Sequence, residues 1–387
     1  MERADLVRFP RRLRQSLLAV LAVVLPGCGM SADYSMQTIP ETLERATAAN
    51  PGGRGGGLIL VAGPGESVEA YAAGRRGGAD GGPLTPETPF GLASITKTLV
   101  AALTLIYAER GLVDLDAPAL AMVEDADWLL RRVRNDGFRR TLEATSLRDL
   151  LAHRSGLPDY WESHAFYDVW HSHESKQWDH LELLDWAGRM SPVCATGRCY
   201  RYSDTNYVVL GLLLEKRFGK ALHDLLREEI LAPLGMACTW MYFEEAAPAG
   251  CGPVAHSYEG RLDVTGNRLQ SADWSGGGLY STLADQHRFL AALFLNGELL
   301  KPASLAAMMR WQPTDEGRKV SYGLGLYKIE VDDGMTLVGH VGVHNAFSYL
   351  WQETGIILTG SLNQENNDAR RRLVTPVLRI LEQRRRP

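Results

Sequence analysis

Lysine is scarce in this 387-residue chain. There are seven, at 97, 176, 216, 220, 301, 319 and 328, and only Lys97 has a serine three residues before it. Acidic residues outnumber basic ones, 46 to 41, for a formal net charge of −5. With no basic stripe outside the N-terminus, that balance argues against nucleic acid as a partner. The five cysteines include no Cys-x-x-Cys pair, so no zinc site is expected. No repeat of 20–50 residues occurs, which removes solenoids and propellers. There is no Gly-x-Ser-x-Gly elbow, which disfavours a generic α/β-hydrolase. The glycines at 52, 53 and 55–57 precede a strand-like run instead of following one. They are therefore not a dinucleotide fingerprint, and no cofactor is expected.

The N-terminus has the composition of an address. Residues 1–15 carry five arginines, and Leu17 to Leu25 is an apolar run too short to span a bilayer. The run ends in Leu25-Pro26-Gly27-Cys28, which resembles a bacterial lipobox with a lipidated Cys28, although Pro26 is atypical; ordinary signal cleavage nearby is the alternative. Residues 1–28 are set apart from the fold on either reading. The expected destination is extracytoplasmic or periplasmic, with a membrane tether through Cys28. Export also fits Cys194, Cys199, Cys238 and Cys251, an even set that an oxidising compartment can pair. The local pairings are 194–199 and 238–251, among three possible connectivities.

With 45% hydrophobic residues the chain can bury a large core. Met36 to Asn50 reads as a helix, Leu58–Ala62 and Ser67–Ala73 as strands. Residues 112–254 read as mainly helical and loop-rich, including an aromatic and histidine-rich segment from Tyr160 to His180. His171-x-His173 lies there, but no carboxylate-plus-histidine spacing completes a metal site. Tyr207 to Phe218 and Ala284 to Phe294 read as helices. Tyr322–Ile329, Met335–Gly342, Ala346–Gln352 and Gly355–Leu362 read as antiparallel strands, and Asp368–Gln383 as a closing helix. The expected fold is α/β of the α+β kind: one antiparallel sheet from both chain ends, residues 36–111 and 255–387, flanked by helices. The mainly helical residues 112–254 form an inserted domain.

The chemistry is expected around Phe90 to Val100. A short extended run ends at Phe90, and an apolar helix runs from about Ser94 to Arg110. Ser94 and Lys97 share one helical face. A serine needs a base, an amine in a partly dry pocket can serve, and unpaired N–H groups at a helix start suit a developing oxyanion. Lys97 also places a charge in an apolar helix, which is costly without a purpose. Downstream, Tyr202-Ser203-Asp204 precedes the Tyr207 helix in a loop, and His340-Val341-Gly342 lies on a strand before a turn.

Ser94-x-x-Lys97, Tyr202-x-Asp204 and His340-x-Gly342, in this order, resemble the serine penicillin-recognising superfamily. The similarity is to class C β-lactamases, D-alanyl-D-alanine carboxypeptidases and related esterases, over about residues 40–385. Leu150 to Leu157, Pro233 to Met236, Gly277 to Thr282 and Tyr322 to Gly325 are similar to secondary motifs of that group. The resemblance implies a β-lactamase/transpeptidase-like fold, Ser94 as nucleophile, and Lys97 and Tyr202 sharing the base role. Tyr202 would then protonate the leaving group, and the N–H groups of Ser94 and Val343 would form the oxyanion hole. It implies an exported serine hydrolase, a D-alanyl-D-alanine carboxypeptidase-like peptidase or an esterase, on a small-molecule or peptide substrate such as a peptidoglycan fragment. A class C-type β-lactamase is the second option. A non-catalytic peptidoglycan- or penicillin-binding relative is disfavoured, because all three anchors are chemically competent.

Two positions depart from the group. Asp204 stands where an asparagine is usual, and an ionised aspartate only accepts hydrogen bonds. It is expected to hold Lys97 protonated, to lower the pKa of Tyr202, and to favour substrates that present a donor such as a free amine. His340 replaces a lysine, and a mostly neutral histidine grips a carboxylate less well than a fixed cation.

Overall fold

The computed structural model describes residues 37–385 apart from 78–80, 173–175, 332–333 and 366. The N-terminal address, Cys28 and His173 lie outside the described residues. Among the described residues no helix is long and apolar enough to cross a membrane, and no cluster of His, Cys, Asp or Glu could hold a metal ion.

Eight antiparallel strands form the main sheet, and they come from the two ends of the described chain. β1 (Gly56–Ala62) and β2 (Glu69–Gly74) lie at one edge. Between them and the rest, the chain adds β3 (Phe90–Gly91), β4 (Trp240–Met241), a ribbon of β5 (Tyr258–Glu259) and β6 (Leu262–Asp263), and β7 (Leu279–Ser281). The sheet resumes with β8 (Gln312–Pro313), β9 (Val320–Tyr322), β10 (Tyr327–Glu330), β11 (Thr336–Gly342), β12 (Ala346–Trp351) and β13 (Ile356–Ser361). The order is β2-β1-β13-β12-β11-β10-β9-β8. β1 pairs with β13 from Leu58↔Ser361 to Ala62↔Ile357, so strands about 300 residues apart become neighbours. Every residue of β1, β12 and β13 is buried. Both faces of these strands are covered, which is why they read as continuous apolar runs.

The N-terminal helix (Ile39–Ala48) packs with the C-terminal helix (Asn367–Arg385) on one face. It opens with a capping box between Thr38 and Glu41 and a proline in its first turn. The opposite face holds the central helix (Thr96–Glu109), buried from Thr96 through Tyr107. Each leucine sealed there contributes about 1.5–3 kcal/mol relative to exposure.

Three parts of the fold differ from expectation. The extended run over Tyr322–Ile329 is two strands, because Gly323–Leu326 turns the chain back between β9 and β10, with Gly325 at φ 69°. A side chain at Gly325 would meet Ala101 and the Lys97 carbonyl. The helix expected from Tyr207 begins at Asp204, with Ser203 at its N-cap. Ahead of the helix expected from Ala284, the chain forms β7, a strand no expectation placed, which pairs with β3 and β4. The disulfides, by contrast, are the expected local pairings, Cys194–Cys199 and Cys238–Cys251.

Candidate active site

Ser94 lies in a 3-10 turn, Ala93–Ile95, that hands the chain from β3 to the central helix. Ala93 has φ 46°, a left-handed value that costs a non-glycine residue energy and makes the turn sharp. Neighbouring elements hold the turn. The Leu92 N–H donates to the Leu279 carbonyl at 2.9 Å, and the Leu279 N–H donates to Thr96 Oγ1 at 3.2 Å. On the other side β11 presses its last residue against the turn. A Cβ on Gly342 would sit 2.3 Å from the Leu92 carbonyl oxygen and 2.8 Å from Ala93 Cβ. Only glycine allows β11 that close, and the approach carries Val343 to the edge of the Ser94 turn.

Lys97 is fully buried and has three partners. Its Nζ is 3.0 Å from Ser94 Oγ, 2.7 Å from the Gly276 carbonyl oxygen and 2.5 Å from Asp204 Oδ1. A buried ammonium without such partners would be prohibitive. Gly276 is the acceptor that sequence reasoning missed. The motif that starts one residue later, at Gly277, was visible, but a carbonyl that turns toward Lys97 leaves no side-chain signal.

Tyr202 sits beneath this group, with Lys97 Nζ 5.0 Å from its ring centroid. Its hydroxyl is buried and makes no well-formed hydrogen bond, although Ser94 is near enough to act on its titration. Burial pushes the phenol well above its ordinary pKa, the Asp204 charge pushes it further, and Ser94 pulls it back. The expected lowering by Asp204 is therefore overturned. A carboxylate close to a phenol repels the phenolate directly.

His340 is turned into the fold and is 1% exposed. Its Nε2 is 3.1 Å from Tyr322 Oη, and its Nδ1 lies 2.9 Å from the Val341 nitrogen. Burial, then the Lys97 charge, pushes it down to about 3, so it is neutral and offers no fixed cation. Two further carboxyl groups, absent from the sequence expectations, share the electrostatics. Asp159 is buried and lies well above the ordinary range, through burial and then the Asp204 charge. Asp273 is raised to about 7 for the same reasons and lowered in turn by Lys97. It lines a pocket with Ala93, Gly277, Tyr242, Tyr280, Val343 and His344. Its carboxylate has no hydrogen bond or ion pair among the described residues. Lys97 is the cation that these groups share.

Of the sequence-derived candidates, the structure joins Ser94, Lys97, Tyr202 and Asp204 into one cluster. Gly342 and Val343 close its edge, and His340 stands behind Tyr202, with ring centroids 6.4 Å apart.

The family model described as Beta-lactamase matches residues 42–382. The D-amino acid amidase of Ochrobactrum anthropi SV3, solved with L-phenylalanine, is 27% identical with a TM-score of 0.76, over 90% of this chain and 98% of that one. Penicillin-binding protein 4* of Bacillus subtilis is 26% identical over 79% of this chain and 66% of its own length. The D-aminopeptidase of Brucella anthropi is 26% identical over 74% of this chain and 51% of its own. The chain thus spans about half to two thirds of the length of these curated relatives. The matched fold is the β-lactamase/transpeptidase-like one, with its large antiparallel sheet. A match across most of the chain, on a fold that places Ser94 beside Lys97 and Tyr202, shows that this chain belongs to the beta-lactamase family.

Proposed function

We propose that this protein is a serine hydrolase of amides whose acyl part carries a free amine, acting through an acyl-Ser94 intermediate. The observation that carries the reading is the charge balance of the site. Lys97 is tied to Asp204 at 2.5 Å, His340 is neutral, and the Asp273 carboxyl in the adjoining pocket has no partner among the described residues. Such a site suits an ammonium group, and among the described residues it offers no free cation to a substrate carboxylate. The D-aminopeptidase and D-amino acid amidase relatives support the D configuration for the acyl residue.

In this mechanism Lys97 passes a proton to Asp204 and, as the neutral amine, takes the proton of Ser94. Ser94 Oγ attacks the amide carbon, and the Ser94 and Val343 N–H groups receive the oxyanion. Tyr202, neutral and close to Ser94, protonates the leaving nitrogen. A water then cleaves the acyl-enzyme by the reverse proton path. The fold's own residues complete these steps without a cofactor. The carboxypeptidase-like and β-lactamase readings draw less support, since both call for a cation facing the substrate carboxylate. The two disulfides support export to an oxidising compartment, with Cys28 as the lipid-bearing residue.

The test is kinetic. Full-length protein is offered a D-amino acid p-nitroanilide with a free amine, its N-acetyl derivative, an N-acylated peptide ending in D-Ala-D-Ala, a p-nitrophenyl ester and a penicillin. Preference for the free amine, with an acyl adduct on Ser94 by intact mass that Ser94→Ala lacks, is the expected result. Preference for the N-acylated peptide or the penicillin would refute the proposal.

A further inference from the structure

Among the described residues the Tyr202 hydroxyl makes no well-formed hydrogen bond, so its placement near Ser94 rests on its ring and its backbone. Both are gripped by one residue. His153 is fully buried, with φ 54°. Its carbonyl oxygen accepts the Arg201 N–H at 2.8 Å, and its Nδ1 accepts the Ser203 N–H at 3.2 Å. Between these two bonds its ring lies against Tyr202, with centroids 4.2 Å apart. The three residues 201–203 are thus bracketed by the main chain, ring edge and ring face of a single histidine.

The ring orientation is itself fixed. The Leu157 N–H donates to Ser155 Oγ at 2.9 Å, and Ser155 Oγ donates to Asn206 Oδ1 at 2.5 Å. That leaves the Asn206 amide to donate from Nδ2 to His153 Nδ1 at 3.0 Å. With two N–H donors on Nδ1, the ring proton is on Nε2, and Nε2 has no partner among the described residues. The backbone in this region is tied as well. Gly197 N–H donates to the Arg154 carbonyl at 2.8 Å, and Val193 N–H donates to the Gly156 carbonyl at 2.9 Å. The Cys194–Cys199 bridge closes the loop that leads into Tyr202. A left-handed, non-glycine residue held by this many contacts is a costly conformation that the surroundings enforce.

We infer that His153 is the positioning residue of Tyr202, setting the approach of the phenol to Ser94 through an acceptor at Nδ1 and a flat ring beneath it. The inference rests on the reading of Tyr202 as proton donor. Its distinctive requirement is an acceptor at one place. Asparagine puts Oδ1 where histidine has Nδ1 and tolerates a left-handed φ. Glutamine is equally polar, but its acceptor lies one bond farther out.

The experiment compares His153→Asn and His153→Gln, each alone and combined with Tyr202→Phe, on the free-amine D-amino acid p-nitroanilide. Misplacing a reacting group by about 1 Å costs on the order of 10²-fold in rate. His153→Gln is therefore expected to lower kcat about 10²-fold with KM within roughly threefold, while His153→Asn stays within about tenfold of the parent. In the Tyr202→Phe background, His153→Gln should cost almost nothing more, because the group it positions is gone. Should the Gln variant fail to fold, Asn206→Ser removes the donor that fixes the ring. It should lower kcat in the parent background and not in Tyr202→Phe. Equal activity of the Asn and Gln variants, or losses that multiply through in the Tyr202→Phe background, would overturn the inference. Parental activity of Tyr202→Phe alone would instead overturn the underlying reading of Tyr202.

Discussion

Gly276→Ala is a one-carbon probe of the Lys97 cluster. Gly276 is not in the left-handed region, so alanine is allowed by the backbone. The new Cβ would lie 2.8 Å from Asp204 Oδ1 and 3.4 Å from Lys97 Nζ. Ordinary contact begins near 3.4 Å, so Asp204 has to retreat by about 0.6 Å. That retreat pulls on a 2.5 Å ion pair and on the 2.7 Å bond from Lys97 to the Gly276 carbonyl. Overpacking of this size costs about 1–3 kcal/mol of stability. If about 1 Å of misplacement costs 10²-fold, about half of that costs roughly tenfold in kcat. The control is Gly219→Ala, at the end of the helix that Asp204 begins. Gly219 has φ 65° and nothing within 4 Å of a Cβ. That substitution costs about 1–2 kcal/mol through backbone strain alone. Thermal denaturation should show both variants lowered by a few degrees, whereas steady-state kinetics should show kcat lost in Gly276→Ala only. Parental kcat in Gly276→Ala, or equal losses in the two, would refute the role assigned to the Gly276 contact.

Gly342→Ala should abolish labelling of Ser94 by a fluorophosphonate, read by intact mass, because its Cβ would meet backbone 2.3 Å away that cannot yield. Breaking the Cys194–Cys199 bridge with a pair of serines should cost roughly 2 kcal/mol, seen in urea unfolding. It should also reduce kcat, since that loop delivers Tyr202; unchanged kcat would show that the loop holds without the bridge. Burial pushes the Glu316 carboxyl up to about 8 against the pull of Tyr200 and Tyr327. The native state therefore keeps a proton that the unfolded chain loses above pH about 4.5, and stability falls as pH rises between those values. His340 and His344, pushed down to about 3 and 4, act oppositely, but only below the unfolded histidine value of 6.5. The melting temperature should therefore fall from pH 6.5 to 8, and Glu316→Gln should shrink that fall; an unaltered slope would contradict the assignment.

The sequence by itself singled out Ser94, Lys97 and Tyr202, which the fold brings together, and it determined the apolar central helix and the strand runs at both ends. These signals are local. Spacing of three puts two side chains on one helical face, and a buried strand must be apolar. The split of Tyr322–Ile329 into two strands needed the packing of Gly325 against Ala101 and Lys97, which no periodicity records. Asp204 was legible as a departure, but its effect on Tyr202 had the opposite sign. The sign of a charge effect depends on which groups stand side by side after folding. The tertiary structure alone decided the rest: a carbonyl at Gly276 for Lys97, Asp273 in the pocket wall, and His153 around Tyr202. Lys97 and Gly276 are 179 residues apart. A hydrogen bond at that separation belongs to the fold, because only packing brings the two groups into contact.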